Sequence, residues 1–519
     1  MLQAQTDTPV NSESSPRQSM GRLLFTGGSA LGIATVAERG FGFLANLAAA
    51  RIGGTHVFGA YSVAMTTANN IASYAGAGIG NTANRFSGDY PYGHGGYRGL
   101  VRALATVSLG SAALASVVLW LTADVLARQL LRNPALTPLL RLAALSSGAI
   151  ILLECLRGFL VGQRKFRALL ALSILSGGGL IAILPLAAKN GASLMVIGQA
   201  AMAFSAVAIC VLLARKLCFA PPRAGKLEGG PRTIEIVRFG FVQLGSMVGL
   251  NMAGWWIASM VVRADVSLLQ MALYSAATQI RNMSAMPSWL ISQTAYAQLT
   301  EASGRKYGGP GRVTLFSTIA ATVIALLVAG PMAALMPWIL PHLYGKSFAG
   351  GELAATLAVV TGLVHMSGAP AANRLTVVSL RLTAVINGVW ALLVIGLGTW
   401  LVPAGGANRA VATFLAAHIF SAAAVLIALY WLSAVPRELA TVSAPAFAGA
   451  ILLAVLGWMR SGSPHKAMLS GGMLVVTAIL IWTTIVLGRR TSDAFRELNI
   501  SNFIETMLSR ISGLLVTKS

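Results

Sequence analysis

The stretch GGSALGIATVAERGFGFLANLAAARI, residues 27–52, combines an apolar composition with two adjacent charges at its middle. A helix of about 20 residues is long enough to cross a hydrocarbon core of roughly 30 Å. The charges are Glu38 and Arg39, and an unpaired charge at mid-bilayer costs roughly 2.5–3.5 kcal/mol on insertion scales. The stretch therefore predicts a transmembrane helix whose charged side faces the protein interior or water.

The polar residues of this helix share one face. Helical spacing aligns Thr35, Glu38, Arg39, Gly42 and Asn46, and it places apolar side chains opposite them. Because neighbours in sequence point about 100° apart, each charge is expected to have a different partner. Two roles remain open for the pair: a substrate or ion site, and a structural network that locks neighbouring helices.

The composition of the whole chain is that of a membrane protein. Of 519 residues, 56% are hydrophobic and 10% are charged, and the mean hydropathy is +0.72. Apolar segments recur from residue 23 to residue 487 and predict an all-α polytopic protein of about fourteen transmembrane helices. The net charge of +23 does not indicate nucleic acid, because the basic residues are not gathered on one soluble face. Most of them fall on alternate loops, which predicts cytoplasmic termini.

The segments divide the chain into six regions. Two six-helix bundles are predicted at 23–214 and 236–435, joined by a basic cytoplasmic linker at 215–235 that is rich in Pro and Gly. Two additional transmembrane helices follow at 436–490. A disordered cytoplasmic tail is expected at 1–22 and an amphipathic cytoplasmic tail at 491–519.

An internal repeat relates the two bundles. The segments GAYSVAMTTANN (59–70) and ALYSAATQIRNM (272–283) align without a gap, so that Tyr61 matches Tyr274 and Asn69 matches Asn282. Each segment opens the second span of its bundle. Six spans per repeat predict parallel halves related by a pseudo-two-fold axis along the membrane normal.

The second span also carries a polar face. Amides at helical spacing can bind sugar hydroxyls as donors and acceptors, or they can serve as hydrogen bonds between helices. The face is predicted to run for about four turns and to contain Thr66, Asn69, Asn70, Ser73, Asn81 and Asn84.

Two further spans hold charges. Glu154 and Arg157 are three residues apart and are expected to pair on one helix face. With Glu38 they are candidates for ion coupling. Arg281 has no acidic residue within reach on its own helix, and Asn282 lies beside it in the sequence. A lone intramembrane arginine indicates either a functional site or a side chain that caps the carbonyls of a neighbouring helix. Guanidinium groups suit phosphate oxygens, so Arg39 and Arg281 predict a pyrophosphate-binding interior.

The run AARIGGTHVFGAYSVAMTTANNIASYAGAGIGNTANRF (49–86) resembles the polysaccharide transport (Wzx-like) flippases of the multidrug/oligosaccharidyl-lipid/polysaccharide (MOP) exporter superfamily. LRGFLVGQRKFRALL (156–170) and LPHLYGKSFAGGELAATLAVVTGLVH (340–365) carry the resemblance further along the chain. Arg39 matches a first-span position at which this family often has arginine, whereas the match at Arg281 is poorer.

The resemblance implies a flippase of the bacterial inner membrane that moves an undecaprenyl pyrophosphate-linked oligosaccharide by alternating access. It also implies a role in exopolysaccharide or O-antigen (lipopolysaccharide) biosynthesis. In such flippases a cationic central cavity receives the head group while the lipid tail stays in the bilayer. Glycan polymerase and export machinery are then possible partners.

Two other functions stay open. A cation-coupled, MATE-like multidrug exporter would favour acidic cavity residues and usually has twelve spans; a glycan polymerase would need long external loops. Known phosphate-loop and hydrolase motifs are missing, so we expect a transporter without enzymatic activity, cofactor or metal. The six histidines are dispersed, which favours roles at interfaces and helix caps.

Overall fold

A computed structural model describes residues 16–76, 78–213, 230–302 and 309–491. These residues form fourteen α-helices and no strand, which confirms the all-α prediction. The helices are α1 (Pro16–Ala75), α2 (Ile79–Asp89), α3 (Tyr97–Val125), α4 (Thr137–Gly162), α5 (Phe166–Ala188), α6 (Ala192–Leu213), α7 (Thr233–Ala264), α8 (Leu269–Ala302), α9 (Gly309–Tyr344), α10 (Glu352–Val378), α11 (Leu380–Leu401), α12 (Gly406–Trp431), α13 (Glu438–Ser461) and α14 (Lys466–Thr491).

Helix α1 contains the first predicted span and most of the second. Its two arms meet at Gly54, where φ is 70°, a left-handed conformation that favours glycine. The helix begins at Pro16, so residues 16–22 are helical and the prediction of a disordered tail is wrong for them. Proline suits the first turn of a helix because the amide it lacks would have no partner there. Residues 1–15 lie outside the described part of the chain.

Ten of the described helices are long and apolar enough to cross a membrane: α3 to α6 and α9 to α14. The protein is therefore a multi-pass membrane protein. Helices α1, α7 and α8 carry most of the contacts between the two halves of the molecule. The count of fourteen spans stays a prediction.

The helices form two lobes and an added pair. Helices α1 to α6 pack together, as do α7 to α12, and α13 and α14 lie against α9 and α10. One hydrophobic core, rich in alanine, continues through both lobes. The bounds predicted for the two bundles stay a prediction. Of the predicted linker, residues 215–229 lie outside the described part, and α7 already begins at Thr233. The amphipathic tail also lies outside it, except for Thr491.

Several contacts join the lobes through α1. Near the kink, the Phe58 and Phe348 rings meet edge to face with centroids 6.1 Å apart. Farther along α1, the Trp255 indole of α7 donates to the Thr67 hydroxyl at 3.2 Å. Both contacts tie α1 of the first lobe to elements of the second.

Candidate functional site

A cavity of about 1170 Å³ lies between the two lobes. Its walls come mainly from α1, α4 and α5 on one side and from α8, α10 and α12 on the other. This volume exceeds that of ordinary small-molecule pockets, which is roughly 300–1,000 Å³. The cavity is large enough for a bulky polar head group.

The polar face of the first span forms part of this wall. Glu38, Arg39, Gly42 and Asn46 of this face line the cavity, and Thr35 does not. The Arg39 guanidinium lies over the Trp289 ring of the opposite lobe, 4.8 Å from its centroid. No carboxylate of the described residues forms a salt bridge with Arg39. Arg39 is therefore a cation that keeps its charge available to the cavity.

Glu38 has a different partner, as the angular argument predicted. Arg157 of α4 contacts the Glu38 carboxylate at 2.5 Å and the Glu154 carboxylate at 2.7 Å. The pair predicted at Glu154 and Arg157 is thus part of a three-residue network that ties α1 to α4. All three side chains line the cavity.

Arg281 enters the cavity from the other lobe. It extends from α8, and its guanidinium lies 5.7 Å from the centroid of the Phe414 ring of α12. Among the described residues it has no acidic partner. Asn282 lines the cavity beside it. One unpaired guanidinium group therefore comes from each lobe.

The residues matched by the internal repeat face each other across this space. Helix α1 presents three of them and α8 presents their counterparts at the aligned positions. The lining residues are Tyr61, Ser62 and Asn69 in the first lobe, and Tyr274, Ser275 and Asn282 in the second. This arrangement is the one that two parallel repeats around a central axis would produce.

Two predicted binding residues lie elsewhere. The Asn70 amide donates to the Asn251 carbonyl of α7 at 2.8 Å, so it joins the lobes. Asn81 belongs to α2, which starts after α1 has ended at Ala75. The backbone is left-handed at Gly78, with φ 66°, so the predicted four-turn polar face is interrupted and does not extend to Asn81.

Two histidines that sequence analysis placed among interface and cap residues lie together in the cavity wall. His365 of α10 and His418 of α12 have ring centroids 5.0 Å apart, and both line the cavity. They are far apart in sequence, and only the packing of α10 against α12 brings them together. In the sequence, the only sign of this site was that each histidine interrupts an otherwise apolar stretch of its helix.

The charged groups of the cavity wall favour an anion. Among the described residues, three arginines (39, 157 and 281) stand against two glutamates (38 and 154), which leaves one net positive charge. The amides Asn69, Asn282, Asn373 and Asn387 add uncharged donors and acceptors. Within the described residues, no three His, Cys, Asp or Glu side chains lie close enough to hold a metal ion.

The fold is that of the MOP superfamily transporters. The chain aligns with the solved structure of the lipid II flippase MurJ in an inward closed conformation, with TM-score 0.64, 11% identity, and coverage of 88% of this chain and 98% of that one. An inward-facing MATE-family multidrug resistance transporter aligns with TM-score 0.57 and 14% identity over 78% of this chain and 97% of its own. A Pyrococcus furiosus MOP transporter, whose binding pocket is described as having reverse polarity, aligns with TM-score 0.53 and 14% identity over 78% and 94%.

The sequence itself identifies the family. The model of the polysaccharide biosynthesis protein family matches residues 24–296, more than half of the chain, and the chain belongs to that family. A search of curated proteins gave no significant match. The resemblance drawn from the motifs is thereby confirmed: this is a MOP-superfamily membrane protein of the polysaccharide transport kind.

Proposed function

We propose that the protein is a flippase that translocates an isoprenoid (undecaprenyl) pyrophosphate-linked oligosaccharide across the bacterial inner membrane by alternating access. The product would serve exopolysaccharide or O-antigen biosynthesis. The observation that carries this proposal is the pair of guanidinium groups, Arg39 and Arg281, that line one cavity from opposite lobes without a carboxylate partner among the described residues.

The chemistry of the substrate fits this arrangement. A pyrophosphate offers several anionic oxygens to fork-shaped guanidinium donors, which stay charged at any accessible pH. The amides Asn69 and Asn282 then face the glycan from the two lobes. The isoprenoid tail needs no pocket of its own because it can remain in the lipid.

The distribution of basic residues gives the orientation. Both termini are proposed to be cytoplasmic, because the alternation of spans then places most Lys and Arg on the inner side. The lipid-linked substrate would enter from the cytoplasmic leaflet, where such intermediates are assembled, and leave in the outer leaflet. Glycan polymerase and export machinery are the partners that this route would require.

The multidrug exporter remains the second candidate because a MATE-family transporter shares the fold. An organic cation would need a cavity wall with excess negative charge. Glu38 and Glu154 share Arg157, and Arg39 and Arg281 outweigh the one negative charge that this network leaves. The electrostatics of the described cavity wall therefore favour the anionic substrate.

The test is deletion of the gene followed by lipid analysis. We expect loss of the surface glycan and accumulation of the lipid-linked oligosaccharide in the cytoplasmic leaflet, both restored by the wild-type gene. Undiminished glycan without that accumulation would contradict the proposal. Drug-efflux measurements on the same strain test the second candidate.

A further inference from the structure

The imidazole pair of the second lobe is the strongest group in the cavity that the proposed function does not use. His365 projects into the cavity and is exposed there, while His418 lies deeper and its ring meets the Trp390 ring edge to face at 5.3 Å. The two imidazoles are 5.0 Å apart between centroids. Each comes from a different helix, so the pair depends on the packing of the lobe.

The hydrogen bonding of His418 fixes its tautomer. Its Nδ1 lies 2.7 Å from the Phe414 carbonyl oxygen. Since a carbonyl oxygen can only accept, Nδ1 must carry the proton and donate it. In the neutral ring Nε2 then holds a lone pair, and this nitrogen can take up a second proton without disturbing the bond to Phe414.

Arg281 lies next to this pair. A Cβ placed on Gly362, one turn before His365 on α10, would be 3.4 Å from Cγ of Arg281, so the arginine stem runs along the same face of α10. Phe414 contacts both the Arg281 guanidinium, at 5.7 Å, and the His418 ring, at 6.4 Å between centroids. Guanidinium and imidazoles therefore surround one side of the cavity.

Few other charges act on the pair. Among the described residues that line this part of the cavity, α8 contributes the titratable groups Arg281 and Tyr274. Helix α11 contributes Trp390 and Asn387, neither of which titrates there, and α10 and α12 contribute the two histidines themselves. The carboxylates of the cavity, Glu38 and Glu154, belong to the opposite lobe. A bound anion would be the nearest negative charge to the imidazoles.

On the basis of the proposed function, we infer that His365, His418 and Arg281 together form the docking point of the diphosphate, and that the imidazole pair takes up a proton when the diphosphate binds. The proton comes from the bulk solution, relayed by water in the cavity, and adds to Nε2 of His418 or to the free ring nitrogen of His365. It returns to water when the diphosphate leaves. An imidazolium N–H then donates a charge-assisted hydrogen bond to a phosphate oxygen.

The experiment measures diphosphate binding and proton uptake on the purified full chain. Farnesyl diphosphate is titrated by calorimetry in two buffers of different ionisation enthalpy, at several pH values. The wild type should gain protons on binding and bind more weakly as the pH rises through the range where imidazoles titrate. At a pH below that range, His365→Gln and His418→Gln together should weaken diphosphate binding about tenfold or more, because a charge-assisted hydrogen bond is lost. The double variant should also take up fewer protons on binding.

The controls separate the possible failures. His465→Gln, at an exposed position between α13 and α14, should behave like the wild type, and gel filtration with thermal unfolding shows whether each variant is folded. Wild-type binding with no proton uptake, which needs no variant to observe, would overturn the inference and leave the proposed function standing. So would unchanged affinity and uptake in the folded double variant. Absence of diphosphate binding by the wild type would count against the proposed function itself.

Discussion

Arg39 and Arg157 are both arginines in the wall of one membrane-embedded cavity, but their neighbours give them different roles. Arg157 is bound by two carboxylates, so its charge is already neutralised and it holds α1 against α4. Arg39 contacts an aromatic ring of the opposite lobe. An aromatic face stabilises a cation without cancelling its charge. Of these two arginines, only Arg39 is therefore suited to bind an anionic substrate.

Replacing Arg39 tests this difference. Arg39→Gln should reduce diphosphate binding and glycan export about tenfold or more, because a charge-assisted bond to phosphate is lost, while the amount of protein in the membrane is unchanged. Arg141→Gln is the matched control: Arg141 also lies over a tryptophan, Trp120, at 5.5 Å, but outside the cavity lining. Equal effects of the two substitutions would contradict a role for Arg39 in binding.

Replacing Arg157 should act on stability first. Arg157→Gln leaves Glu38 and Glu154 facing each other without their cation, and we expect a loss of about 2 kcal/mol in unfolding free energy, visible as a lower melting temperature in detergent. Replacing both glutamates by Gln in the same chain should recover most of that loss. If the triple variant is no more stable than the single one, the network does not stabilise the fold.

At the level of the helices, the added pair α13 and α14 is fastened by one buried cation. Arg460 of α13 donates to the Ala333 carbonyl of α9 at 3.0 Å and to the Thr356 hydroxyl of α10 at 2.8 Å. Ala333 stands four residues before Pro337, which has no N–H to close the helical bond. Arg460 thus satisfies a carbonyl that a proline in α9 leaves free, and it joins three helices in doing so.

Removing this cation should loosen the added pair. Arg460→Leu leaves that carbonyl and its neighbours unsatisfied in a buried place, so a loss of about 3 kcal/mol in unfolding free energy is expected, with faster proteolysis between the second lobe and α13. Arg437→Leu, at the exposed opposite end of α13, serves as the control. Equal melting temperatures for the two variants would show that Arg460 is not an anchor.

At the level of the whole molecule, the motif that carries the family resemblance is a contact between lobes. Phe58 packs on Phe348, and Gly59 lies so close to the Leu268 carbonyl that an added Cβ would overlap it. Tyr61, two residues on, faces the cavity. The motif therefore seals one end of the interface beside the cavity that the lobes enclose.

A side chain at Gly59 should open that end. Gly59→Val introduces a clash with Leu268, and strain of roughly 1.4 kcal/mol would shift the balance of conformations about tenfold. The measurement is labelling of a cysteine at Ser275, in the cavity wall, by a membrane-impermeant maleimide, in a chain with the native cysteines replaced by serine; labelling should accelerate. Gly110→Val on α3, whose Cβ would touch nothing, is the control, and identical rates would contradict the prediction.

The surface of the assembled helices agrees with a position in lipid. Large tryptophans lie exposed on the outside of the bundle, among them Trp400 near the end of α11 and Trp431 at the end of α12. Both tryptophans lie at helix ends, and in membrane proteins the aromatic belts are found at the ends of the transmembrane helices. Exposed apolar and aromatic side chains of this kind belong at the boundary between lipid and water.

The all-α membrane fold, the family and the polar face of the first span could be read from the sequence, because hydrophobic length, helical periodicity and motif spacing are local properties. The intramembrane charges were also evident from the sequence, since the cost of a charge in lipid follows from its chemistry alone. Tertiary packing alone decided which partner each charge has, that Asn70 joins the lobes, that the break after Ala75 turns Asn81 away, and that His365 meets His418. These outcomes depend on which helices become neighbours, and residues far apart in sequence carry no local sign of that.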